Sequence, residues 1–176
     1  MSPTTRSLLP ALLVATLLLP ANIYVVGANL GAGLQCSLFH YQQTYLGASL
    51  ITLVDDLNYV ASGTIGGRSA LSILLWALGT ALLLAAAGYA VYHRHDGIAH
   101  IRKPLALLTA GGAAAYLLSC VTQYGPLLHG PSGFAVPIGV PLILAVAWYV
   151  MKVEDDDESG YEGEEEEYGE EMEEEQ

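Results

Sequence analysis

Residues 71–91, LSILLWALGTALLLAAAGYAV, decide how the rest of the chain can fold. The stretch contains no charged residue, and as a helix it would be about 30 Å long, which matches the hydrocarbon core of a bilayer. Three further stretches have the same character, at about residues 8–26, 105–122 and 134–151. The pattern predicts an all-α fold, a polytopic membrane helix bundle with about four transmembrane helices and an outer amphipathic helix.

The composition divides the chain into two unlike parts. Hydrophobic residues make up 53% of the sequence, more than the core of a soluble domain of this size needs. The net charge of -12 comes from the end of the chain, since 15 of the 18 acidic residues lie in residues 154–176. We therefore predict a short cytoplasmic N terminus (1–7), a helix bundle in the lipid bilayer (8–153) and a disordered acidic tail (154–176).

The basic residues predict the orientation. One side of the predicted bundle carries five Lys or Arg and the other carries only Arg68; the five are Arg6, Arg94, Arg102, Lys103 and Lys152. Since positive residues resist translocation, the N and C termini are expected in the cytoplasm. The first span could instead be a cleaved signal peptide, because Arg6 precedes an apolar run, and either alternative places residues 28–70 outside.

Small residues indicate where the second and third spans would pack. They recur every four residues in three rows: Ala77, Ala81, Ala85; Ala106, Ala110, Ala114; and Gly111, Ala115, Ser119. Such rows allow close helix contact in lipid, although alanine and glycine also face lipid in many membrane helices. Pro137 and Pro141 predict a kink or a partly unwound outer half in the fourth span.

The outer segment, residues 28–70, is too long for a structureless connection. Apolar residues recur at helical spacing within it, at Leu46, Leu50, Leu53, Val54 and Leu57. This spacing predicts an amphipathic helix from about Gln42 to Val60.

Polar residues in the same segment form a candidate site for a cation or another polar ligand, bound through oxygen atoms. The candidates are His40, Tyr41, Asp55, Asp56, Asn58 and Tyr59. A solvated helix end is the commoner explanation of such an acidic pair. The two cysteines, Cys36 and Cys120, are both expected outside. The sequence leaves two alternatives for them, a disulfide between the two or two separate buried thiols.

The sequence shows no catalytic constellation, no cofactor motif and no zinc or iron-sulfur spacing. His93, His95, Asp96 and His100 could bind a metal, but a basic loop facing anionic lipid explains the same residues. We expect a non-catalytic membrane anchor or assembly component. The alternatives are a small channel or carrier acting as an oligomer, and a redox protein using the two cysteines. Expected partners are the bilayer, other membrane subunits and a basic cytoplasmic protein on the acidic tail; nucleic acid is not expected.

Overall fold

The structure, a computed structural model, describes residues 3–27, 30–93 and 98–152. In these residues it contains five helices and one six-stranded antiparallel sheet. The helices are α1 (Pro3–Leu18), α2 (Leu53–Ala61), α3 (Gly67–Tyr92), α4 (Ile98–Tyr124) and α5 (Gly139–Lys152). The strands are β1 (Asn22–Val26), β2 (Gly31–Gln35), β3 (Phe39–Thr44), β4 (Gly47–Thr52), β5 (His129–Gly130) and β6 (Gly133–Val136), in the order β4-β3-β2-β1-β6-β5.

The prediction of an all-α bundle is therefore wrong. In the described part of the chain, only α3 and α4 are long and apolar enough to cross a membrane. The first predicted span ends as a helix at Leu18, and its last residues, Asn22–Val26, form β1. Pro20 and the β-branched residues that follow favour this change from helix to strand. The fourth predicted span begins as β6, and its helix starts only at Gly139, after Pro137.

The amphipathic helix predicted for Gln42–Val60 is also wrong, because most of this stretch forms the hairpin of β3 and β4. Its turn uses Gly47 at φ +129°, a backbone conformation that favours glycine. Leu46 is 82% exposed and Val54 is 65% exposed, so the apolar spacing did not mark a buried helix face. Only the last part is helical, as α2, which begins with a capping box between Thr52 and Asp55.

The two long helices form an antiparallel hairpin with its closest approach at two glycines. A Cβ atom on Gly79 would lie 2.6 Å from the ring of Tyr116, and one on Gly112 would lie 2.8 Å from Leu83. Of the predicted packing residues, the buried ones are Ala106, Ala115 and Ser119, the partly buried ones are Ala77, Ala110 and Gly111, and the exposed ones are Ala81, Ala85 and Ala114. The row on α3 is thus mostly turned away from α4, and glycine rather than alanine sets the contact.

The sheet covers one end of the helices. The C-terminal ends of α1 and α4 and the N-terminal ends of α3 and α5 all lie at this end. Each of them connects directly to a strand or to α2. The turn between β2 and β3 is fixed to α3 by two buried hydrogen bonds. Trp76 Nε1 donates to the Cys36 carbonyl at 3.0 Å, and Thr80 Oγ1 donates to the Ser37 carbonyl at 2.7 Å. At the opposite end of the helices, an apolar cluster that includes Leu9, Ile101 and Val150 fills the core.

Three sequence predictions fall on residues outside the described ranges. These are the disordered acidic tail at residues 154–176, the central part of the histidine-containing loop at residues 94–97, and the first two residues of the N terminus.

Candidate functional site

A cavity of about 370 Å³ lies between the inner face of the sheet, α2 and the neighbouring ends of α3 and α4. It is partly open to solvent, and its size falls within the range of small-molecule sites. The sheet lines it with alternate residues because successive side chains of a strand point to opposite faces. On β1 these are Asn22, Tyr24 and Val26.

An acidic and a basic side chain meet in the wall of this cavity. His40 Nδ1 on β3 lies 3.3 Å from Asp56 Oδ2 on α2. The Asp56 side chain is 7% exposed and that of His40 is 16% exposed, so both groups are largely withdrawn from water. Among the residues that line the cavity, Asp56 is the sole carboxylate, and Lys and Arg do not occur. The contact joins the sheet to α2 and places a negative charge at the cavity.

Aromatic rings surround this pair. The His40 ring lies 5.9 Å from the ring of Trp76 and 6.4 Å, edge to face, from that of Tyr24, measured between centroids. Burial and the negative charge of Asp56 raise the pKa of Tyr24 to about 12, so its phenol is neutral at physiological pH. The Tyr24 ring lies across Gly33, where a Cβ atom would be 2.5 Å from it, and this explains the glycine in β2. Tyr59 and Tyr124 complete the aromatic part of the lining.

Asn22 forms the floor of the cavity and is 3% exposed. Its Nδ2 donates to Gln35 Oε1 at 2.7 Å and to Cys120 Sγ at 3.2 Å. Its Oδ1 has no hydrogen-bond partner in the described part of the protein. A buried acceptor without a donor costs free energy, about 1–3 kcal/mol, so Oδ1 is a candidate contact for a donor on a ligand.

The two cysteines are separate buried thiols in the structure. Cys120 lines the cavity beside Asn22, whereas Cys36 lies in the turn whose carbonyl accepts from Trp76. Burial raises the pKa of the Cys36 thiol, which disfavours the reactive thiolate. Within the described residues no group of three or more His, Cys, Asp or Glu side chains could hold a metal ion.

The structure separates the six residues that the sequence grouped as a ligand site. His40, Asp56 and Tyr59 line the cavity. Tyr41 lies on the opposite face of the sheet and donates to Gln43 Oε1. Asp55 and Asn58 are exposed on α2, and Asp55 accepts from Thr52 as part of the capping box.

Several lining residues escaped the sequence analysis, which assigned them to membrane helices or to no site: Asn22, Tyr24, Gln35, Trp76 and Tyr124. The alternation of Asn22 and Tyr24 with Ile23 and Val25 is the one local signal that could have indicated a strand with a polar face. Their approach to His40 and Asp56 depends on strand pairing, which local sequence does not specify.

The outer face of the same sheet is apolar. The strand registers place five apolar or aromatic residues in one row across five strands: Val136, Ile23, Leu34, Tyr41 and Leu50. Ile23 is 45% exposed, Val136 49% and Leu50 62%. A solvated sheet normally turns its polar side chains outward, and this sheet turns them toward the cavity instead.

The chain matches no protein-family model, no curated protein and no solved structure.

Proposed function

We propose that the protein is a non-catalytic membrane component that joins a larger assembly through the outer face of its sheet. The apolar row Val136–Ile23–Leu34–Tyr41–Leu50 supports this proposal, because a contiguous exposed apolar face on a folded protein commonly marks an interaction surface. The neighbouring row is Phe134, Val25, Ala32 and Gln43 in order, so it becomes polar toward β3. Such a combination is typical of an interface with an apolar centre and a more polar edge.

The proposed location is a membrane that the chain crosses more than once. α3 and α4 have mean hydropathies of 2.2 and 1.7 over their most apolar windows, and each is long enough to span the hydrocarbon core. α1 and α5 pack beside this hairpin. The distribution of Lys and Arg favours both termini in the cytoplasm and the sheet outside.

The proposed partner is another membrane subunit, and a second copy of this chain is the simplest candidate. Two sheets pack face to face about 10 Å apart when their facing side chains interdigitate. Each apolar residue withdrawn from water in such a contact contributes about 25 cal/mol per Å² of buried area. The predicted basic cytoplasmic partner of the acidic tail would bind on the other side of the membrane and stays a separate proposal.

The experiment is native mass spectrometry of the full-length chain released from a mild detergent micelle. We expect an oligomer, and we expect Ile23→Lys to shift it toward monomer because a charge then lies within the apolar row. The matched control is Leu127→Lys, since Leu127 is 88% exposed but lies outside the sheet. A monomer at every salt concentration, or equal effects of the two lysine substitutions, would contradict the proposal.

The alternative function, a small channel or carrier acting as an oligomer, stays a prediction. Within the described residues, an apolar cluster fills the core at the end of the helices opposite the sheet, which does not favour a polar path through a single chain. A path between copies would avoid this cluster. Solute flux into reconstituted vesicles that is lost in Ile23→Lys would favour this alternative, whereas vesicles without flux would argue against it.

A further inference from the structure

We infer that the cavity beneath the sheet binds a small organic cation that carries N–H donors, of the class of protonated primary amines. The inference is independent of the proposed assembly function, which concerns the opposite face of the sheet.

The first reason is the charge of the lining. Asp56 is the sole carboxylate among the lining residues, its side chain is 7% exposed, and Lys and Arg do not occur there. Among the lining residues, His40 is the group that could neutralise it, through the contact of 3.3 Å. Arg68 and His129 line an adjoining cavity of about 270 Å³ instead. A positively charged ligand would therefore enter a site whose fixed charge is negative or, with His40 protonated, zero.

The second reason is the unpartnered Oδ1 of Asn22, which is an acceptor on a side chain that is 97% buried. The remaining polar atoms of Asn22 are already used, because its Nδ2 donates to Gln35 and to Cys120. A ligand that satisfies Oδ1 must supply a hydrogen-bond donor, and an ammonium group supplies three.

The third reason is the aromatic lining. The rings of Tyr24, Tyr59, Trp76 and Tyr124 border the same cavity as Asp56. Aromatic faces attract cations through their quadrupole, and the attraction grows when the cation is desolvated. The negative charge of Asp56 contributes to the raised pKa of Tyr24, so the carboxylate acts on the part of the cavity that this ring borders.

The ligand class distinguishes this site from its competitors. An anion would meet Asp56 without a facing Lys or Arg. A metal ion would find too few ligands, because the described residues hold no group of three His, Cys, Asp or Glu suited to one. A purely apolar ligand would leave Asn22 Oδ1 unsatisfied, so the amine is the class that answers all three observations.

The test is isothermal titration calorimetry on the full-length protein in detergent micelles, with four probes that share a phenyl ring. These are 2-phenylethylammonium, its neutral counterpart 2-phenylethanol, its anionic counterpart phenylacetate, and (2-phenylethyl)trimethylammonium as the same cation without N–H donors. We expect 2-phenylethylammonium to bind at least tenfold more tightly than the alcohol and the carboxylate, and severalfold more tightly than the trimethylated cation. Empty micelles measure the partition of each probe into detergent.

Two neighbouring acids provide matched variants. Asp56→Asn is expected to weaken 2-phenylethylammonium binding at least tenfold, whereas Asp55→Asn, on the exposed side of the same turn, is expected to change it less than twofold. If Asp56→Asn unfolds, shown by loss of its cooperative thermal transition, Asn22→Leu serves as the second variant and should weaken the same binding. Equal affinity for the amine and the alcohol, binding unchanged in the cavity variants, or no binding by any amine would overturn the inference. Equal binding of the two cations would overturn the requirement for N–H donors. None of these results bears on the oligomer, so the two proposals can fail separately.

Discussion

Substitution of Gly79 by alanine should destabilise the protein even though alanine is the better helix former. An alanine Cβ at this position would lie 2.6 Å from the Tyr116 ring and 3.1 Å from the Gly112 carbonyl oxygen. Tyr116 cannot easily withdraw, because it is 2% exposed and its hydroxyl lies 3.1 Å from Thr80 Oγ1. The helix hairpin must therefore open locally to accept one methyl group.

Gly88 on the same helix supplies the control, because a Cβ atom there would meet nothing within 4 Å. Both substitutions gain the same preference for helix, about 0.5–1 kcal/mol. The difference between the two variants therefore isolates the cost of overpacking, which is about 1–3 kcal/mol for a well-packed core. We expect Gly88→Ala to be slightly more stable than the parent protein and Gly79→Ala to be less stable.

The assay is reversible unfolding in mixed detergent micelles followed by circular dichroism, with the free energy of unfolding compared among the three proteins. Gly112→Ala should resemble Gly79→Ala, since its Cβ would lie 2.8 Å from Leu83. If Gly79→Ala gained as much stability as Gly88→Ala, α3 and α4 would not approach each other at these glycines, and the reasoning would be refuted.

Three further predictions concern the outer part of the protein. Trp76→Phe removes the donor to the Cys36 carbonyl and should lower the free energy of unfolding by about 1–3 kcal/mol, measured by thermal denaturation. An unchanged free energy of unfolding would show that this hydrogen bond does not fix the turn between β2 and β3. Hydrogen bonds from Thr52 lower the pKa of Asp55, so the ionised carboxylate stabilises the fold above its unfolded pKa, and this contribution is lost as pH falls through the folded pKa. Between about pH 6 and pH 3, the free energy of unfolding should therefore decline less in Asp55→Asn than in the parent protein. Equal declines in the two proteins would contradict this. Cys36 and Cys120 should both resist maleimide until the protein unfolds, with gel mobility independent of reductant; a reductant-sensitive band would indicate a disulfide.

The candidate site shows where the sequence analysis failed. Of the six polar residues that the sequence groups, His40, Asp56 and Tyr59 line the cavity. Asp55 and Tyr41 lie away from it, since neighbours in sequence point in different directions on a helix turn and on opposite faces of a strand. Asn22 and Trp76 were missed because an apolar window averages over single polar side chains.

The sequence by itself determined the features that depend on neighbouring residues. The length and apolar character of residues 71–91 and 105–122 predict helices long enough to cross a membrane. In the structure α3 contains the first stretch and α4 contains the second. The interruption of the last apolar stretch by Pro137 likewise follows from the missing backbone donor.

Only the tertiary structure decided the sheet and the cavity. β1 pairs with β6, so that Tyr24 lies beside Ala135 although more than a hundred residues separate them. The spacing of Leu46, Leu50 and Val54 fits a continuous helix as well as it fits a hairpin followed by the start of a helix. The pairing of β4 with β3, and of β3 with β2, decides in favour of the hairpin. Hydrogen bonds between distant strands have no local signature, because their free energy depends on which partner the completed fold brings alongside.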